Sequence, residues 1–225
     1  MMQRFDGKRV VVTDADEFMG PAVSKMLREE GAQVLADTRD LTQPDAAHAL
    51  IEQAGRVDVL IANLAGNYTM APAHEATESD LSYMLARFVF PLQRLFRAVL
   101  PQMIERRQGK IVVVGSALGL RGTVLRANYC AARAAQLGLV RAAGLEAIQH
   151  NVHINATAQA FVENPTYYPP EYKATDDFME RMKMLPAGRL STGADAASLI
   201  LYLASGQSDF FVGQVVPYSG GFVPT

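Results

Sequence analysis

The chain is 225 residues long and 49% hydrophobic, with a formal charge of −2; this suits one α/β domain over residues 1–225 better than two. The small, scattered charge excludes nucleic acid and an anionic membrane surface as expected partners. One cysteine, Cys130, excludes an intrachain disulfide and a cysteine metal cluster, and the four histidines show no ligand spacing.

In chain order, Met1–Thr13 runs into a strand without the apolar run of a signal peptide. No apolar stretch is long enough to span a bilayer, so a soluble cytoplasmic protein is expected. Arg9–Thr13 (RVVVT) reads as the first strand. A helix from about Met19 to Glu30 stops at Gly31. Gln33–Ala36 is a strand with Asp37 at its end, Pro44–Ala54 a helix and Val57–Ala62 a strand. Thr77–Gln108 is helical with a break before Pro91, and Arg106, Arg107 and Lys110 are placed to cap its end. Lys110–Val114 is a buried strand, Ala127–His150 a long helix and Val152–Ala156 a strand. Ala160–Asp177, rich in proline and aromatics, reads as a long functional loop. A helix at Ala194–Ala204 and a strand at Val212–Pro217 follow. This alternation predicts an α/β, Rossmann-like, doubly wound parallel sheet with helices on both faces.

Three segments carry a resemblance. Val57–Gly66 (VDVLIANLAG) is similar to a strand and Asn-Ala-Gly turn, Ser116 and Tyr129 have twelve residues between them, and Ser208–Gly221 (SDFFVGQVVPYSGG) ends in a glycine pair. In this order they resemble the short-chain dehydrogenase/reductase family over nearly the whole chain. Fold does not fix function, so the departures matter.

Reductases of that family bind NAD(P) on a glycine-rich turn after the first strand, where glycine lets the backbone approach the pyrophosphate. Here the turn reads Thr13-Asp14-Ala15-Asp16-Glu17-Phe18-Met19-Gly20, and of three expected glycines only Gly20 remains. Phe18 takes the place of the second, and Asp14, Asp16 and Glu17 bring carboxylates to a helix N-terminus, which they would stabilise. The lysine expected four residues after Tyr129 is Arg133, which is no simple substitute. Phe88 stands where the family has an asparagine, and the short stretch after Asp37 implies that one strand–helix unit is missing. Thr13, Phe18 and Gly20 combined with Ser116, Tyr129 and Arg133 resemble the halohydrin dehalogenases.

That resemblance implies closure of vicinal halo-alcohols to epoxides with release of halide, no cofactor, and the reverse opening of epoxides by azide, cyanide or nitrite. Tyr129 would act as general base, Ser116 would bind the substrate oxygen, and Arg133 would favour the phenolate. An ordinary phenol, of pKa about 10, is a poor base at neutral pH, so a cation one helical turn away matters. A halide nest is implied at Ala158, Gln159, Ala160 and Phe161, in the loop after the sixth family strand, with the N–H groups of Ala160 and Phe161 as donors and Phe18 as a wall. Tyr167 and Tyr168 would line the pocket. Cys130 should point away from the site, Asp37 should cap or turn, and Met179, Met182 and Met184 suit either an entrance or core packing. A homotetramer is implied, with Phe222-Val223-Pro224-Thr225 reaching a neighbouring subunit's pocket. Two rivals stay open: an NAD(P)-dependent reductase with a degenerate turn, and a non-catalytic binding protein.

Overall fold

The computed structural model describes residues 3–223. Its six strands are β1 (Arg9–Val12), β2 (Gln33–Ala36), β3 (Val59–Asn63), β4 (Gly109–Ser116), β5 (Val152–Gln159) and β6 (Val215–Tyr218). They form one sheet in the order β2-β1-β3-β4-β5-β6, with every pair parallel. Between β2 and β3 lies one helix and no further strand, so the sheet lacks the unit that the short spacing after Asp37 leaves out.

A parallel sheet is covered on both faces, which demands continuous apolar strands. Side chains alternate along each strand, so the valine runs serve two cores. Val11, Ile111 and Val113 face a core closed by α2 (Ala46–Ala54), α3 (Glu78–Phe88), α4 (Phe90–Glu105) and α5 (Ala127–Ala147). Val10, Val12, Val112 and Val114 face the opposite core, closed by α1 (Gly20–Glu29) and the helix Gly193–Ala204. Thr77 starts α3 with a reciprocal capping box: its side chain accepts from the Asp80 N–H and the Asp80 carboxylate accepts from the Thr77 N–H. The break before Pro91 falls at Val89, which ends α3 and starts α4.

Several boundaries differ from expectation. Strands β4 and β5 are longer, so Ser116 is the last residue of β4, and Ala158 and Gln159 belong to β5, paired in register with Gly115 and Ser116. Residues 160–177 are not an unbroken loop. A short helix, α6 (Pro170–Lys173), interrupts them, and α7 (Asp176–Met184) begins before they end. The signals for α7 are a Thr175 cap that accepts from Phe178 N–H, acids in the first turn and buried Phe178 and Met182 four apart. The helix Gly193–Ala204 is α8. Arg106 and Arg107 donate to the carbonyls of Val57 and Gln149, and Lys110 pairs with Asp209, so these cations tie neighbouring segments together instead of capping α4.

Among the described residues, no helix is long and apolar enough to cross a membrane, and no three His, Cys, Asp or Glu side chains gather to hold a metal.

A β-carbon on Gly20 would lie 2.5 Å from the Asp14 carbonyl oxygen and 2.6 Å from Ala15 Cα. Both are backbone and cannot step aside cheaply. Gly20→Ala should cost about 1–3 kcal/mol, read as a fall in Tm of several degrees by calorimetry.

Candidate active site

Parallel strands bring their carboxyl ends to one edge, and an open α/β sheet places its crevice there. At this edge a cavity of about 820 Å³ is lined by Ser116, Tyr129, Arg133, Phe18, Gln159, Ala160, Phe161, Tyr167 and Tyr168 among others. The structure therefore brings together nine of the ten residues singled out from sequence. The tenth, Ala158, is fully buried within β5 and does not line the cavity. The register of β4 against β5 sets Ser116 beside Gln159.

Tyr129 and Arg133 are four apart on α5, so they share a helix face. Arg133 Nε donates to Tyr129 Oη at 3.1 Å. The remaining guanidinium donors reach the Gln136 side-chain oxygen at 2.9 Å, the Leu64 carbonyl at 3.3 Å and the Val114 carbonyl at 3.5 Å. Gln136 is held in turn by the Phe88 carbonyl at 2.7 Å. The Phe88 ring lies 3.9 Å from the guanidinium carbon, a close cation–π contact. Phe88 thus closes one side of the Arg133 cage. Among the described residues, no carboxylate lies within ion-pair distance of Arg133, although it is only 3% exposed. Its charge rests on neutral acceptors and on one phenol.

Ser116 Oγ accepts from Leu118 N–H at 3.2 Å, which leaves its own O–H free to donate into the cavity. The turn Ala117–Gly119 that follows packs on α5: a β-carbon on Gly119 would lie 2.9 Å from the Arg133 carbonyl group. Ser116 and Arg133 are thereby fixed to each other through backbone.

The cavity walls are aromatic. Tyr68 packs against Tyr129 with centroids 4.9 Å apart and rings tilted by 45°, and Phe18 meets Tyr167 edge-on at 6.0 Å. Tyr167 Oη donates to the Gly66 carbonyl at 2.8 Å. Burial pushes the Tyr167 phenol up, and the Tyr168 phenol up to about 12. Both stay neutral at physiological pH and serve as walls, Tyr167 also as a donor. Phe222 lines this chain's own cavity, against Phe161 at 5.2 Å and beneath the Arg121 guanidinium at 4.4 Å. Within the chain Phe222 thus belongs to the cavity wall, while Pro224 and Thr225 lie outside the described residues.

The expected anion donors need correction. Ala160 N–H is spent on the Tyr218 carbonyl at 3.0 Å, extending the β5–β6 ladder by one rung. Among the described residues, Phe161 N–H has no partner, and Phe161 sits at φ 57°. Gln159 lines the cavity, is 4% exposed, and has both amide atoms buried and unpartnered. An orphaned buried amide is costly unless a ligand satisfies it. Sequence reasoning also passed over Tyr68 and Gln136. The tyrosine's only signal was an aromatic just past the Asn-Ala-Gly turn, and the glutamine's was a polar residue three after Arg133. Cys130 is half-buried and does not line the cavity; Met184 does, whereas Met182 is buried and Met179 exposed.

The turn after β1 does not fit a dinucleotide. Asp14 and Phe18 have φ of 41° and 47°, a region L residues with side chains rarely adopt, at positions where the fold uses glycine. The Phe18 ring lines the cavity itself. The acids do not stabilise α1 as expected, since its first turn carries none. Instead buried Asp14 accepts from Ala65 N–H at 2.8 Å and faces Arg87 at 3.5 Å, while Asp16 and Glu17 are exposed. Asp37 is paired with Arg39 at 2.6 Å. Side chains, not glycines, thus stand at the two turn positions where a dinucleotide's pyrophosphate needs close backbone approach.

Residues 4–170 match the family model described as short chain dehydrogenase. Dehydrogenase/reductase SDR family member 6 of Danio rerio is 30% identical, with 98% of this chain and 99% of that protein covered. A 3-oxoacyl-(acyl-carrier-protein) reductase of Thermotoga maritima is 28% identical, with 98% and 99% covered. A solved structure described as a dehalogenation enzyme is 31% identical with a TM-score of 0.88, covering 99% of this chain and 100% of that one.

Asp14 yields a pH prediction. Burial raises its pKa, against the lowering by Ala65 N–H and Arg87. A raised carboxyl holds its proton more tightly when folded, so its stabilising effect is full below the unfolded value and lost as pH rises through the folded one. Asp14→Asn keeps an acceptor for Ala65 and does not titrate. Its unfolding free energy should therefore gain on that of the wild type as pH rises above about 4, the ordinary carboxyl value, measured by urea denaturation.

Proposed function

This chain belongs to the short chain dehydrogenase family, and within it we propose a lyase that needs no nicotinamide: it closes vicinal halohydrins to epoxides and opens epoxides with small anions. The observation that carries the reading is the buried Arg133 guanidinium, 3.1 Å from Tyr129 Oη and free of any carboxylate within ion-pair distance among the described residues. Such a cation stabilises negative charge on the phenol oxygen. The Phe18 turn and the likeness to the dehalogenation enzyme support the same reading.

Ser116 Oγ–H donates to the substrate oxygen and orients it. Tyr129 takes the hydroxyl proton, with the phenolate charge held by Arg133. The alkoxide attacks the adjacent carbon from behind, the carbon–halogen bond breaks and the halide leaves with its electron pair. The proton then passes from Tyr129 to solvent, so one halohydrin yields one epoxide, one halide and one proton. The departing anion is received by Gln159 Nε2 and Phe161 N–H, walled by Phe18 and Phe161. Reversal with azide, cyanide or nitrite in the halide position opens the ring.

Halide release from a simple bromo-alcohol without added cofactor should be measurable by ion chromatography and should fall about 10²–10⁴-fold in Tyr129→Phe. Arg133→Lys should fall by about tenfold or more, since a point cation loses the forked contacts to Gln136 and Leu64. No release without cofactor, together with NADPH-driven ketone reduction by the same preparation, would overturn the proposal in favour of a reductase.

A further inference from the structure

Beyond the reacting groups, the mouth of the cavity is electropositive. Arg121, Arg126 and Arg181 line it, and among the described residues its one lining carboxylate is Asp177. Asp177 is already engaged: Tyr172 Oη donates to it at 2.8 Å and accepts from Arg181 at 2.8 Å. That relay sets the Asp177 charge against Arg181. Arg121 and Arg126 have no carboxylate within ion-pair distance among the described residues. Arg121 donates to the Phe222 carbonyl at 2.9 Å and rests on that ring.

Arg126 is the more telling of the two. It precedes the first residue of α5, and its guanidinium sits 5.0 Å over the Tyr68 ring with one nitrogen 3.7 Å from Met70 Sδ. Its Nε is buried with no hydrogen-bond partner. A half-buried cation resting on a ring and a thioether, with a donor unspent, is a group waiting for an acceptor. Tyr68 in turn packs against Tyr129, with centroids 4.9 Å apart and the rings tilted by 45°. One aromatic ring therefore separates the phenol from the free cation. A substrate whose hydroxyl-bearing carbon and anionic group sit on opposite sides of one ring presents its groups in the same order, and the cavity of about 820 Å³ has room for it.

We infer that the preferred substrate is an aryl halohydrin or aryl epoxide bearing an anionic group on the far side of its ring, bound by Arg126 with help from Arg121. This rests on the proposed dehalogenase reading for its chemistry, but the anion site stands on its own contacts. The carboxylate needs to form no bond in the reaction; it orients the ring so that the benzylic hydroxyl faces Ser116 and Tyr129.

The test compares the bromohydrin of styrene carrying a para carboxylate with its para carboxamide, nearly equal in size and neutral. At low ionic strength kcat/KM for the carboxylate should be about tenfold higher. The ratio should shrink in molar salt and in Arg126→Gln, and should invert in Arg126→Glu, where circular dichroism checks the fold. Calorimetric titration with unreactive para-ethylbenzoate and para-ethylbenzamide reads the same preference without turnover. If both bromohydrins release halide at equal kcat/KM and the two unreactive ligands bind alike, the inference falls and the dehalogenase reading stands. If neither bromohydrin reacts yet para-ethylbenzoate binds about tenfold tighter through Arg126, the dehalogenase reading fails and the anion site survives. A preference for the carboxylate that Arg126→Gln leaves intact would equally overturn the assignment.

Discussion

A guanidinium buried without a counter-ion is the constraint around which the rest of this molecule is arranged. Taking an isolated charge out of water costs many kcal/mol unless its donors are met. Here Gln136, Leu64 and Val114 supply neutral acceptors, and Phe88 supplies a ring face. None of them cancels the charge, so the field of Arg133 falls on the phenol of Tyr129 and on whatever enters beside it. Two of these neighbours come from the sheet, Leu64 just after β3 and Val114 within β4, and two from helices, Gln136 on α5 itself and Phe88 at the end of the α3 helix that packs on α5. The site is a product of sheet topology as much as of three residues.

The turn after β1 shows side chains accommodated in backbone conformations that suit glycine. Asp14 and Phe18 hold left-handed conformations that glycine adopts without cost, at roughly 1–3 kcal/mol of strain each. Asn63 helps hold the turn, donating to the Asp14 and Glu17 carbonyls at 2.9 and 3.0 Å. The phenylalanine ring then becomes cavity wall, and the aspartate becomes the partner of Ala65 N–H and Arg87. Compensation of this sort concentrates where a protein needs an unusual surface.

The sheet and its helices were largely legible, because valine runs and capping signals are local. The pairing of Tyr129 with Arg133 was legible too, since four residues on a helix make one face. What sequence could not give was set by distance along the chain. Gln136 and Phe88 close the Arg133 cage from one turn further along α5 and from α3, with nothing in their spacing to say so. The expected donors of the loop after the family's sixth strand change because β5 runs three residues past Ala156; nothing in Ala-Thr-Ala-Gln distinguishes strand from loop. With that extension Ala160 N–H belongs to the ladder, and the free donor becomes the Gln159 amide. Helix α7 was obscured by the prolines before it, although Thr175 and the acids behind it are an ordinary start signal.

The aromatic lining has an optical consequence. The chain contains no tryptophan and eight tyrosines. Four of the eight, Tyr68, Tyr129, Tyr167 and Tyr168, line this one cavity. The near-ultraviolet spectrum of the folded protein is therefore weighted toward its own reaction chamber. An ionised phenol, a bound anion or a stacked ligand there perturbs a large share of the chromophores at once, so the unlabelled molecule reports on its own occupancy.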